Sequence, residues 1–323
     1  MPRPPAVVCL GEAMAALLPG TPGPLEDVAV FRPGTGGAEA NVACGLAALG
    51  VPAAWIGRVG DDGFGRRIVR DLAAAGVDVT GVVVDAERPT GLFVKETRDG
   101  RSVLHYYRRG SAGSALSPGL LADPRAAALL DGAALVHLSG ITPALSDGAH
   151  DLVRALLERH RVVFDLNWRP GLWRGRDPAV LRDLMNAADT VLLGADEAAA
   201  VLGTGDPAAL RALLPGPRTL VVKDDAHRAT ALTRDGAHAE PALRVEVVEA
   251  TGAGDAFAAG YLTGVLRGLD QRGRLRLGHL SAAATLVVPG DHGDPGVLPG
   301  PVDDLLAATP AEWADIVVRR AAP

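Results

Sequence analysis

The chain has 323 residues, 48% of them hydrophobic, which accommodates one large α/β domain with a small appendage. Its net charge of −6 argues against a general nucleic-acid binder, which needs clustered Lys and Arg, and no apolar run is long enough to cross a bilayer. Cys9 and Cys44 are the only cysteines, which gives no disulfide framework or zinc site and fits a reducing compartment, with the cytoplasm as the default.

In chain order, Met1 to Gly20 carries a short apolar stretch broken by Glu12, read as a first buried strand at Ala6–Leu10 rather than a signal peptide. Val28–Phe31 reads as a strand with no helix after it. A helix over Glu39–Leu49, a strand at Ala53–Ile56 and a helix over Phe64–Ala75 follow. Gly91–Arg108, split by Asp99-Gly100 between β-favouring runs, is a hairpin signal. Strands at Leu135–Leu138, Val162–Leu166, Thr190–Leu193 and Thr219–Val222 alternate with helices at Asp147–Arg159 and Val180–Ala187, and helices at Asp255–Arg267 and Leu275–Val288 close the pattern. Mostly unbroken apolar strands between amphipathic helices predict a doubly wound, mostly parallel sheet covered on both faces. Val28–Phe31 and the hairpin, without intervening helices, predict a small sheet standing off it as a lid.

Lysine occurs only at Lys95 and Lys223, and neither follows a glycine, so there is no Walker A loop. The most informative segment is Val245 to Leu262, where a strand runs into Thr251-Gly252-Ala253-Gly254 and a helix starts near Asp255. Small residues there let backbone N–H groups approach an anion, and the helix N-terminus adds partial positive charge. Such a turn suits a transferring phosphoryl group, and Asp255 is placed to accept the proton of an attacking hydroxyl. An Asp N-cap after a tight glycine turn reads equally well from these residues alone. A dinucleotide fingerprint fails because Phe257 stands where its third glycine or alanine belongs. A second glycine-rich segment, Gly34-Thr-Gly-Gly37-Ala-Glu39-Ala-Asn41, also leads into a helix, and offers Glu39 and Asn41 as hydrogen-bond partners for hydroxyls.

Paired in this order, and joined by Gly57-Arg-Val-Gly-Asp-Asp-Gly-Phe-Gly65, these motifs resemble the PfkB, or ribokinase-like, carbohydrate kinases over nearly the whole chain. The resemblance implies one kinase domain over residues 1–323, with a β-sheet lid drawn from about 12–35 and 88–110. It implies ATP with Mg2+, an anion hole at Gly252, Ala253 and Gly254, and Asp255 as catalytic base. Asn167, Glu197, Lys223 and Thr251, with Gly252 and Gly254, fall on the nucleotide side, although a helix cap and a solvated helix face are equally good readings of Asn167 and Glu197. It also suggests a homo-oligomer built through the lid sheet.

The segments around His105 to Leu116, His137 to Leu145, Asp165 to Trp173 and Gly290-Asp-His-Gly look like the 2-keto-3-deoxygluconate kinases of that family. That subgroup would put Gly37, Tyr106, Arg108, Arg169, Asp255 and Asp291 around a sugar acid phosphorylated at its 6-hydroxyl, with Asn41 also on the substrate side. A planar guanidinium binds a carboxylate with two parallel hydrogen bonds, so two arginines suit an acid better than a neutral hexose. Strand alternation puts Tyr106 and Tyr107 on opposite faces, so one of them meets substrate. The sugar-acid reading requires Arg108 and Arg169 to converge beside Asp255; otherwise a fructokinase-like or ribokinase-like enzyme, or a catalytically weak sugar binder, takes its place. Five positions depart from the family pattern. Glu249 replaces an Asp near a monovalent-cation or magnesium-water site. Asp225 and Arg228 occupy the two glycine places of a nucleotide-side turn. Phe93 replaces a tyrosine, and Gly194 an Asn or Ser.

Overall fold

The computed structural model describes residues 4–21, 23–98, 101–288, 290, 293 and 295–320. Its centre is an eight-stranded sheet in the spatial order Gly236–Pro241, Arg228–Thr233, Thr219–Asp224, Thr190–Gly194, Val162–Asp165, Leu135–Ser139, Val7–Leu10 and Ala53–Ile56. From Thr219–Asp224 to Ala53–Ile56 every pairing is parallel, while the two strands at the other edge are antiparallel. Both faces are buried, which is why these strands read as continuous apolar runs. One face carries Val8, Leu10, Val136, Leu138, Phe164, Val191 and Leu193 against the helices Asp147–Arg159 and Val180–Ala187. The other carries Val7, Cys9, Leu135, Val163, Leu192 and Val221 against Ala38–Ala48 and Ala253–Leu266.

The six strands anticipated from the sequence fall in this sheet within a residue or two, and the six helices keep their places, Asp147–Arg159 and Val180–Ala187 to the residue. The small sheet is four-stranded, in the order Phe31–Gly36, Met14–Pro19, Leu92–Arg98, Arg101–Tyr107. The expected strand at Val28–Phe31 is thus displaced: it begins at Phe31 and runs through Pro33 and Gly34. Proline survives there because this is an edge strand, with no ladder bond required on its open side. Met14–Pro19, within the 12–35 stretch that the resemblance gave to the lid, pairs with Phe31–Gly36 in this sheet. The Asp99-Gly100 turn lies outside the described residues.

The Gly57–Gly65 motif anchors the base of the small sheet. Asp62 caps the helix Gly63–Ala74 through the Gly65 N–H (2.7 Å) and also accepts the Thr90 N–H (2.8 Å) and hydroxyl (2.9 Å), just before the strand Leu92–Arg98. A Cβ on Gly65 would stand 2.1 Å from the Gly60 carbonyl oxygen, so this close approach requires glycine.

Candidate active site

Polar residues gather where the parallel strands end, on the face covered by Ala38–Ala48 and Ala253–Leu266. The second helix begins after Gly252, whose φ of 81° demands a residue without Cβ. Its first intrahelical bond runs from the Ala256 N–H to the Gly252 carbonyl (2.9 Å), leaving the preceding N–H groups at the positive end of the helix dipole. Gly254 is exposed, and the nearest group to a Cβ there would be the Lys223 ammonium at 3.8 Å. Thr251 donates its hydroxyl to Glu249 (2.7 Å).

Asp255 is the third residue of that helix and caps nothing, so the N-cap alternative falls. Its carboxylate instead accepts the side-chain amides of Asn41 (2.9 Å) and Asn167 (3.3 Å), each from a different element. Asn167 reaches it because its backbone is left-handed (φ 39°), a conformation asparagine tolerates. Burial raises the Asp255 pKa to about 7, assisted by the nearby Asp165 carboxylate and opposed by the Asn41 bond and the charges of Arg169 and Lys223. A carboxylate at about 7, at the mouth of a free helix N-terminus, is matched to general-base work near neutral pH.

Around it lie three supporting clusters. Lys223 donates to Asp165 (3.2 Å); burial opposes its charge, but Asp165 and Glu197 hold its pKa above the ordinary value. Glu197 accepts the Trp168 N–H (3.0 Å) and the Gly194 N–H (3.1 Å), and burial raises its pKa. Both of its oxygens are engaged, so it is no solvated helix face. Glu39 lies fully buried, one oxygen accepting the Ser139 N–H and the Ser139 and Thr142 hydroxyls (3.0, 2.6 and 2.8 Å), and burial raises its pKa. The expectation that Glu39 meets a sugar hydroxyl is therefore corrected: it braces the helix that carries Asn41.

On the opposite side, a Cβ on Gly37 would meet the Glu12 carbonyl oxygen at 2.4 Å, so the chain passes there only as glycine. Glu12 is 2% exposed and pairs with Arg108 while accepting the Ser111 hydroxyl (2.7 Å). The Arg108 guanidinium lies over the Tyr106 ring (5.6 Å), whose other neighbour is Phe93 (5.9 Å). Phe93 is buried packing in the small sheet, the role a tyrosine body fills equally well. Arg169 is bound to the Trp168 carbonyl (3.0 Å) and lies 3.8 Å from Glu197. The two arginines thus enter from different sides: the charge of Arg169 bears on Asp255, whereas Arg108 is held at the Glu12–Gly37 end. Asp225 takes φ 38°, keeping a glycine-like turn without glycine, and is exposed with Arg228. Asp291 lies outside the described residues. Sequence reasoning assigned no role to Glu12 or Asp165; Glu12 was legible as the one charged residue in the N-terminal apolar stretch, and Asp165 as the acid that ends an otherwise apolar strand.

Comparison with known proteins follows the same outline. The pfkB family carbohydrate kinase model matches residues 5–294. The chain is 40% identical over 314 residues to a 2-dehydro-3-deoxygluconokinase of Thermoproteus tenax, covering 94% of each. It is 34% identical over 296 residues to a 2-dehydro-3-deoxygluconokinase of Bacillus subtilis (strain 168), covering 88% of this chain and 90% of the relative. Among solved structures, a fructokinase with bound ATP from Xylella fastidiosa superposes with a TM-score of 0.77 at 27% identity, covering 88% of this chain and 93% of that one.

Proposed function

This chain belongs to the pfkB family of carbohydrate kinases, with a ribokinase-like fold, and we propose that it phosphorylates 2-keto-3-deoxygluconate at the 6-hydroxyl, using ATP, to give 2-keto-3-deoxy-6-phosphogluconate and ADP. It is a carbohydrate kinase most like the 2-dehydro-3-deoxygluconokinases it matches. The observation that carries phosphoryl transfer is Asp255, held near pKa 7 at a free helix N-terminus. The sugar-acid assignment is supported by the 2-dehydro-3-deoxygluconokinases at 40% and 34% identity; Arg108 and Arg169 enter from different sides and do not meet the convergence beside Asp255 that it was expected to need. Arg108 Nε is buried with no partner among the described residues, a donor suited to an anionic ligand.

Asp255 takes the proton of the 6-hydroxyl as that oxygen attacks the γ-phosphorus; the bond from the γ-phosphorus to the β–γ bridging oxygen breaks and ADP leaves. The N–H groups of Gly252, Ala253 and Gly254 hold the phosphoryl oxygens, and Lys223 adds charge beside them. Asn41 orients Asp255, while Gly37, Tyr106, Arg108, Arg169 and Asp291 form the sugar side. Asn167 and Glu197 face the nucleotide and its metal. The Asn167 Oδ1, buried with no partner among the described residues, fits such a role. Magnesium, when bound, supplies charge neutralisation across the β- and γ-phosphates. Among the described residues no three His, Cys, Asp or Glu converge as a metal cage, so the phosphates would supply most of the ion's ligands, with Asn167 Oδ1 the unpartnered protein oxygen beside them and Glu197 adding its charge. Glu249 is already committed to Lys95 and Thr251 and does not fit a free monovalent cation. We assign the small sheet the role of a lid that excludes water. Tyr107 and Val103, 63% and 44% exposed, support a homo-oligomer through that sheet, which light scattering tests. No helix among the described residues is long and apolar enough to cross a membrane, and the cytoplasm is the compartment we assign.

ADP release with magnesium-ATP, measured on 2-keto-3-deoxygluconate, its galacto epimer, fructose, ribose and adenosine, tests the assignment. Strong turnover with the keto-deoxy acids alone is expected. Turnover with a neutral sugar keeps Asp255 and overturns the sugar acid.

A further inference from the structure

Arginine serves this chain almost everywhere a cation is used, yet its two lysines both stand beside the phosphate turn. Lys223 neighbours Gly254 from the main sheet. Lys95 arrives from the small sheet, on the strand Leu92–Arg98, two residues after Phe93 and on the same face. Its ammonium pairs with Glu249, and the two side chains are only 17% and 16% exposed. Glu249 belongs to the other body: its N–H and that of Val248 donate to the Leu286 carbonyl (3.2 and 2.7 Å), at the end of the helix Gln271–Leu286. The same carboxylate accepts the Thr251 hydroxyl (2.7 Å), one residue before Gly252.

We propose that Lys95 and Glu249 are a positioning pair that couples the seating of the small sheet to the shape and charge of the phosphate turn. Three physical consequences follow from the arrangement. An ion pair this enclosed is weakly screened by water, so its attraction holds the seated sheet against the turn. Seating of the sheet over the sugar and fixing of Thr251 therefore occur together. A carboxylate beside an anion cradle also repels a phosphoryl group, and Lys95 cancels that charge at its source. Burial would push the Glu249 pKa up, but the Lys95 and Thr251 bonds hold it below the ordinary carboxylate value, so the acid stays ionised and paired. A compact ammonium with three donors suits this position better than a guanidinium fork. The glutamate side chain at 249 carries its carboxylate to a lysine on the opposing sheet.

This role rests on the reading of Gly252–Asp255 as the phosphoryl cradle. It does not rest on the sugar acid, because turnover is measured with whichever sugar the panel shows to be active. Lys95→Met and Glu249→Gln are each expected to lower kcat about tenfold or more while moving KM for the sugar less than about threefold. The double variant Lys95→Met/Glu249→Gln, which leaves no stranded charge, is expected to recover to within about threefold of the parent. In the free protein, amide hydrogen exchange supplies a readout without nucleotide. Lys95→Met should speed exchange across residues 246–257, and Glu249→Gln should speed it across 91–98. Lys95→Arg, which keeps the charge, separates loss of charge from loss of fold and should stay closer to the parent than Lys95→Met. Additive losses in the double variant, or exchange changes confined to the strand that carries each substitution, would overturn the coupling. A fall in Tm with kcat unchanged would reduce the pair to a structural bridge and overturn it equally. If Asp255→Asn keeps near-normal turnover, the cradle reading itself fails, an outcome independent of the Lys95 results.

Discussion

Two acids on the same side of the large sheet, Glu240 buried and Asp255 half-buried, behave in opposite ways. Glu240, on the edge strand Gly236–Pro241, is 5% exposed and held by two cations, Arg276 Nε at 3.1 Å and Arg272 Nε at 3.3 Å, with the His238 ring Nε2 at 2.9 Å. Arg276 is itself 1% exposed, donates to the Leu306 and Ala308 carbonyls, and lies over the Trp313 ring at 4.6 Å. That cluster clamps the C-terminal segment to the sheet. Asp255 has only two amides in contact, with Arg169 and Lys223 acting from farther away. Amide donors orient a carboxylate without neutralising it, so burial prevails and the pKa climbs. Full cationic pairing turns an acid into a rivet; partial, neutral pairing leaves it able to take a proton.

Asp255→Asn puts the largest strain on this contrast. Removing the base should lower kcat about 1,000-fold while sugar binding, read by calorimetry, is spared. Near-normal turnover would show that Asp255 is not the base. Next in size is Arg276→Met at the clamp, which takes from Glu240 its buried cation and leaves it the part-exposed Arg272 and His238. It should cost about 3 to 5 kcal/mol in urea unfolding and leave kcat/KM unchanged, because no part of the clamp touches the site. A third prediction concerns pH. The base works ionised and its pKa is raised to about 7, so kcat/KM should climb with pH and reach half its plateau near pH 7. Lys223 lowers that pKa, so Lys223→Met should move the limb to higher pH, where the parent is already on its plateau. A limb that stays in place would detach Lys223 from the base.

The sheet and its flanking helices were legible because parallel strands buried on both faces must be apolar throughout, and each is bounded by an amphipathic helix. The small sheet was harder to read. Phe31–Gly36 contains a proline and two glycines, and only its edge position makes that acceptable. The Gly252–Asp255 turn was legible from its residues because the αL backbone at 252 and the free N–H groups have few sequence solutions. Pairings across long separations were not. Nothing in the chain tells that Lys95 meets Glu249, or that Asn41 and Asn167 converge on Asp255 from 214 and 88 residues away. Glu39 misled for the same reason, since a motif polar in sequence gives no sign of which polar residue faces inward. Arg108 illustrates the middle case: its motif indicated the site, but its partner Glu12 is set by the fold.

The smallest expected effect lies at Asp225, where the turn between Thr219–Asp224 and Arg228–Thr233 keeps φ at 38°. An L-residue pays about 1 to 2 kcal/mol in that region, and aspartate somewhat less because its short side chain bonds locally. Glycine removes that cost but gives the unfolded chain more freedom, worth about 0.5 to 1 kcal/mol in the other direction. The side chain is exposed and loses no packing, so Asp225→Gly should stabilise the fold by about 0.5 kcal/mol, measurable by urea titration. The same substitution removes a carboxylate from the side of the site assigned to the nucleotide. Asp225→Asn separates the two effects, since asparagine also tolerates the left-handed turn but carries no charge. If both variants tighten magnesium-ATP binding equally, repulsion of phosphate is the cost of the native residue. If only Asp225→Gly does, the obstacle is the side chain itself. If neither does, the turn stands clear of the nucleotide, and its glycine-like backbone is a requirement of the hairpin alone.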